Sequence, residues 1–179
     1  DQGLLHTVAG GGFQLDEADG TVLTFRADGR LDNVRDPNGN RITASYTAGQ
    51  LTALTHSAGP ALTFTYNTSG RLATVTDAVG RTTTYGYDAS GEHLLSVTTF
   101  DNRTTTYTYD AGGPLRNHAL RSIGYPDGTH LFLRYDDRGR VVATERDGGA
   151  EAVGLAYDGT GGVTLTDAAG GQTRLYSDH

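Results

Sequence analysis

The groups able to do chemistry in this chain are carboxylates and imidazoles, and their spacing limits what they can do. Aspartates recur at turns, at Asp36, Asp77, Asp101, Asp127, Asp147 and Asp167, and oxygen-rich loops suit calcium. Asp36, Asn38 and Asn40 alternate as an EF-hand loop opens, but Arg41 stands where that loop needs glycine and Thr47 where it needs glutamate. An Asx-type turn closing a hairpin is the expectation there. Six histidines, His6, His56, His93, His118, His130 and His179, show no paired metal spacing. A repetitive sheet is expected to hold them apart, so no metal ligand is assigned. His56 occupies an aspartate slot and is expected to play a structural turn role.

Enzyme chemistry finds little support. Asp16-Glu17 and Asp136-Asp137 are acid pairs, but glycoside hydrolysis needs two carboxyls facing each other across a cleft, one with a raised pKa. There is no Gly-x-Ser-x-Gly elbow, and Gly10-Gly11-Gly12 lacks the Lys-Ser/Thr of a phosphate loop. Cysteine is absent, which excludes a disulfide framework, a thiolate zinc site and a cysteine nucleophile. The expectation is a non-enzyme with no catalytic residue and no cofactor.

Composition narrows the partners. The net charge is −7, all fourteen basic residues are arginine, and they are spread along the chain rather than clustered, which argues against nucleic acid. No apolar run approaches the roughly 18 residues of a membrane span. With 36% hydrophobic residues, 26 glycines and ten tyrosines among fifteen aromatics, the chain reads as many short strands joined by tight turns, without a thick core. Asp1-Gln2-Gly3 carries neither an initiator methionine nor a signal peptide, as in an excised or processed piece of a longer chain.

The elements that must position these groups form a repeat of roughly 21 residues. Its anchor aromatics are Phe25, Tyr46, Tyr66, Tyr87, Tyr109, Tyr135, Tyr157 and Tyr176, most followed closely by a glycine that opens a Gly-x-aliphatic segment. A second turn, ending in Gly39, Gly59, Gly80, Asn102 or Gly128, stands seven residues before its anchor. Glycine and asparagine share access to positive φ, so Asn102 marks these turns as positive-φ turns. The strand after each such turn alternates strictly, as in Thr83, Tyr85, Tyr87 or Leu62, Phe64, Tyr66. In the strand before it the aliphatic pairs, Leu31/Val34 or Leu72/Val75, are three apart. That spacing fits either a strand covered on both faces or a bulge; a twisted, partly covered strand is the preferred expectation. Each unit is thus a hairpin, and successive anchors are expected to form an aromatic ladder.

The rhythm breaks where an extra residue follows Gly91, where Pro114 to Ala119 are inserted, and where Val163 reaches Asp167 one residue early. The expected organisation is a single array over 1–179: a divergent first unit at 1–28, regular repeats at 29–113, an insertion loop at 114–119, and further repeats at 120–179.

The residues from Gly70-Arg71-Leu72 through Asp77-Ala78-Val79-Gly80 to Tyr85-Gly86-Tyr87-Asp88 resemble a near-complete RHS repeat, also called the YD repeat. Gly29-Arg30-Leu31 through Asp36-Pro37-Asn38-Gly39 to Tyr46 resembles it nearly as well, and the resemblance covers about residues 13 to 176. It implies an all-β fold of tandem β-hairpin repeats in a twisted, spiralling antiparallel sheet. In complete family members, among them bacterial polymorphic toxins, the insecticidal Tc toxin complexes and the teneurins, that sheet closes into a hollow shell, which in the toxins encloses a C-terminal effector. No match to the self-cleaving aspartyl site of such toxins is present, and about eight units fall short of the large shells.

The expected function is therefore a structural segment of a large secreted or cell-surface bacterial repeat protein, forming shell wall or stalk. Its partners would be the flanking repeats of the same chain or other copies, met at open sheet edges. Two alternatives stay open: a carbohydrate-binding adhesion module using tyrosine and arginine rows, and a self-assembling extracellular fibre unit.

Overall fold

The computed structural model describes residues 3–176. The described residues are all-β, with seventeen strands and one short 3₁₀ turn at Asp147–Gly149. Strands β1 to β9 run Leu4–Thr7, Phe13–Asp16, Val22–Phe25, Leu31–Arg35, Arg41–Thr47, Gln50–His56, Ala61–Tyr66, Leu72–Thr76 and Thr82–Tyr87. Strands β10 to β17 run Leu94–Thr98, Thr104–Tyr109, Leu120–Gly124, His130–Tyr135, Val141–Arg146, Val153–Tyr157, Gly162–Thr166 and Gln172–Tyr176. Two compact units divide at Thr84/Tyr85, inside β9. In the first, every strand from β1 to β9 pairs antiparallel with the next. In the second, the same meander runs from β10 to β17.

One turn construction serves nearly every hairpin. The Asp77 amide donates to the Arg81 carbonyl at 3.0 Å, and the Gly80 amide returns to the Asp77 carbonyl at 3.0 Å. The return requires a left-handed residue: Gly80 has φ of 83°, and at the corresponding place Asn102 has φ of 60°. Threonine supplies much of the strand surface because its hydroxyls meet across the ladder, as in Thr65–Thr74 at 2.7 Å and Thr76–Thr82 at 2.9 Å.

The aliphatic pairs three apart arise from a bulge, and not from the twisted, partly covered strand that the spacing favours. Phe25 pairs with Leu31 while Thr24 pairs with Asn33, so Asp32 is an extra, unpaired residue. The same register shift falls immediately before Tyr46, Tyr66, Tyr109 and Tyr135. A bulge absorbs one residue and restores the alternation, which puts Leu31 and Val34 opposite Phe25 and Leu23 on one face. The short unit obeys the same rule: β15 and β16 pair without a shift, Tyr157 with Val163 and Leu155 with Leu165, so its aliphatic residues are two apart.

Packing is thin. Among the described residues Ala44, 1% exposed, is the sole fully buried hydrophobic side chain. Ile42, Leu62 and Val79 remain open to solvent. Cohesion therefore comes from ladder hydrogen bonds and cross-strand pairs rather than from a second layer.

Candidate functional site

The tyrosines at the strand ends are tied to the strands beside them through their hydroxyls. Tyr46 donates to the Leu31 carbonyl at 3.0 Å, Tyr66 to Leu51 at 2.9 Å, Tyr109 to Leu94 at 3.0 Å, Tyr135 to Leu120 at 2.7 Å and Tyr157 to Val141 at 2.7 Å. Four of these acceptors, Leu31, Leu51, Leu120 and Val141, stand directly before the extra residue of a bulge. Ring faces are engaged as well. The Arg140 guanidinium lies 4.2 Å from the Tyr157 centroid and that of Arg26 lies 4.7 Å from Tyr46. Burial raises the phenol pKa of Tyr109 and Tyr135. Phe25 ends β3 without a hydroxyl, and Tyr176, at the end of β17, is 67% exposed.

Most turn acids spend oxygens on their own loops. Asp36 Oδ1 accepts the Asn40 amide at 2.8 Å and Oδ2 accepts the Asn40 side chain at 2.7 Å, and these bonds, the Asn40 side chain foremost, hold its carboxyl below the usual range. Asp136 accepts from the Arg138 and Arg140 amides at 2.9 Å each. The aspartate slot at His56 behaves alike, its Nδ1 accepting the Ala58 amide at 3.0 Å. Asp158 is tied to Arg174 Nη2 at 2.7 Å, the leading cause of a carboxyl held far below the usual range. Gly39, Gly59, Gly80, Asn102 and Gly128 all have positive φ. In the first unit an open apolar depression lies between Ile42, Leu54, Pro60, Leu62 and Val79, with Asp77 and Arg81 at its border.

The histidines are not all kept apart. His6 lies 3.6 Å from Asp16 and His130 3.0 Å from Asp147, each in its own place; His179 lies outside the described residues. His93 and His118, by contrast, meet: His118 Nδ1 is 2.9 Å from His93 Nε2, and the rings stack at 5.0 Å. Repeat logic explains the meeting. The turns after Tyr87 and after Tyr109 lie on the same rim of adjacent hairpins, two strand spacings or roughly 10 Å apart, a gap that two imidazoles span. Both turns depart from the repeat. The Asp88 amide reaches over an extra residue to the His93 carbonyl at 3.0 Å, and the Asp110 amide closes the insertion on the Ala119 carbonyl at 2.8 Å. The signal in the sequence is two irregular turns, one repeat apart, each carrying a histidine. Among the described residues no helix is long and apolar enough to cross a membrane.

A family model described as Teneurin YD-shell matches residues 20–145. The chain belongs to the teneurin YD-shell family. Among curated proteins no sequence match was found. Solved structures share the fold: a crystal structure of TcdB2-TccC3-Cdc42 matches with a TM-score of 0.62 and 17% identity over 90% of this chain and 10% of that one. A crystal structure of TcdB2-TccC3 matches with a TM-score of 0.60 and 18% identity over the same 90% and 10%. The Photorhabdus luminescens Tc holotoxin pore carrying the TccC3-D651A mutation matches with a TM-score of 0.50 and 17% identity over 75% of this chain and 9% of that one. This YD-shell chain thus spans about a tenth of the length of the first two structures it resembles.

Proposed function

We propose that the chain is a non-enzymatic structural segment of the wall of a large secreted or cell-surface YD-shell protein. The family match over 20–145 carries the reading. A thin antiparallel meander whose strand-end tyrosines and turn aspartates are largely engaged within the repeats supports it, because ladder and turn bonds then hold a wall together without a thick core. In this reading the tyrosines at 46, 66, 87, 109, 135, 157 and 176, with Phe25, are repeat anchors, and the positive-φ residues Gly39, Gly59, Gly80, Asn102 and Gly128 fix the hairpins. Flanking repeats are the partners, since the first and last strands of a meander offer unpaired backbone groups to a further strand. The engaged hydroxyls and arginine-covered rings of Tyr46 and Tyr157 weigh against the reading in which tyrosines form a sugar-stacking platform.

The test is to isolate the native polypeptide from its source, determine its mass and terminal sequences, and record whether it resides in the surface or secreted fraction. A chain several-fold heavier than 18.9 kDa, with the repeat continuing on either side and exported, is expected. A native chain of about this mass that binds a surface glycan on an array would overturn the wall reading in favour of adhesion.

A further inference from the structure

The meeting of the two irregular turns has a chemical consequence. Asp88 Oδ2 lies 2.7 Å from His93 Nδ1, so the carboxylate fixes the Nδ1–H tautomer and leaves Nε2 with a free lone pair. The Tyr109 ring, 4.4 Å away between centroids, holds the imidazole in place, and Tyr109 is itself anchored through its hydroxyl to the Leu94 carbonyl. The freed Nε2 faces His118 Nδ1 at 2.9 Å. A carboxylate oxygen of Glu92 completes a group of three donor atoms all within 4.8 Å of one another.

We propose that Glu92, His93 and His118 form a binding site for a divalent transition-metal ion of the zinc type, with Asp88 as the positioning residue behind His93. Two imidazoles and a carboxylate suit zinc, and a histidine whose other nitrogen is bonded to a carboxylate is the usual form of a zinc ligand. Nitrogens bound to one tetrahedral zinc stand about 3.3 Å apart for Zn–N bonds of about 2.0 Å, close to the present separation. The ion replaces the proton shared between Nε2 and Nδ1. In the neutral pair that proton is the one on His118 Nδ1, and it moves to His118 Nε2 with no net release to solvent. Glu92 and His118 are exposed, so the carboxylate needs only a side-chain rotation to reach the ion, and water takes the fourth position. Binding would pin the 114–119 insertion to the turn of the preceding repeat.

The experiment is calorimetric titration of the metal-stripped chain with zinc chloride, alongside His118→Ala and Asp88→Asn. One zinc per chain is expected, with affinity lost in His118→Ala and weakened about 10–100-fold in Asp88→Asn. In parallel, imidazole NMR of the unaltered chain should show the His93 and His118 resonances moving on zinc addition while those of His6 and His130 stay in place. Absence of zinc binding, equal affinity in His118→Ala, or movement of His6 or His130 in place of the pair would overturn the assignment.

Discussion

The Tyr46 hydroxyl donates to the Leu31 carbonyl at 3.0 Å, reaching from β5 to the residue of β4 that opens a bulge. A bulged hairpin leaves its ladder locally disrupted, and the tyrosine of the following strand repairs it from the side. Tyr66→Phe removes the equivalent bond to Leu51 with little change in packing. It should cost about 1 kcal/mol, read as a lowered urea midpoint at unchanged slope. An unaltered midpoint would mean that the hydroxyl contributes nothing beyond what water offers.

Deletion separates the bulge from the ladder. Ala73 is the extra residue opposite the Thr65/Tyr66 step, and removing it leaves Leu72, Thr74 and Val75 facing Tyr66, Thr65 and Phe64 in unbroken alternation, the arrangement β15 and β16 already use. The Ala73 deletion should fold and melt within a few degrees of the parent. Deleting Thr65 from β7 instead flips Tyr66 to the opposite face and should lower the melting temperature far more, so equal melting of the two deletions contradicts the register.

These bulges mark the limit of what the sequence makes legible. Alternation in Leu62, Phe64 and Tyr66 and the glycines at positive φ are local properties, and they make the hairpins and the all-β fold readable. Leu72 and Val75, three apart, satisfy two geometries, and only the pairing of Ala73's neighbours with β7 separates them. The His93–His118 contact is less local still. Each irregular turn reads as a loop by itself, and their convergence depends on adjacent hairpins placing equivalent turns on one rim.

At Gly80 the backbone alone sets the cost of substitution. Its φ is 83° and nothing lies within 4 Å of where a Cβ would stand. Gly80→Val should therefore destabilise by about 1–2 kcal/mol, and Gly80→Asn by less, since Asn102 already adopts φ of 60°. Equal melting temperatures for the two variants would contradict the strain account.

Acid should loosen the turns through their aspartates. Asp158, tied first to the Arg174 guanidinium, and Asp136, tied first to the Arg140 amide, titrate below the ordinary 3.8 in the folded chain. The unfolded chain therefore takes up protons first as pH falls, so the stabilisation is fully present above about pH 4 and is lost as pH drops through the lower folded values. The melting temperature should hold nearly level from about pH 6 to pH 4 with respect to these groups and decline below that. Both carboxylates are in contact with solvent, so added salt should shrink the part owed to charge pairing while leaving the part owed to backbone amides. Asp158→Asn keeps an acceptor for the Thr160 and Gly162 amides but loses the charge opposite Arg174. Its acid decline should be shallower than the parent's, and an identical decline would mean that this pair is not among the groups that acid releases.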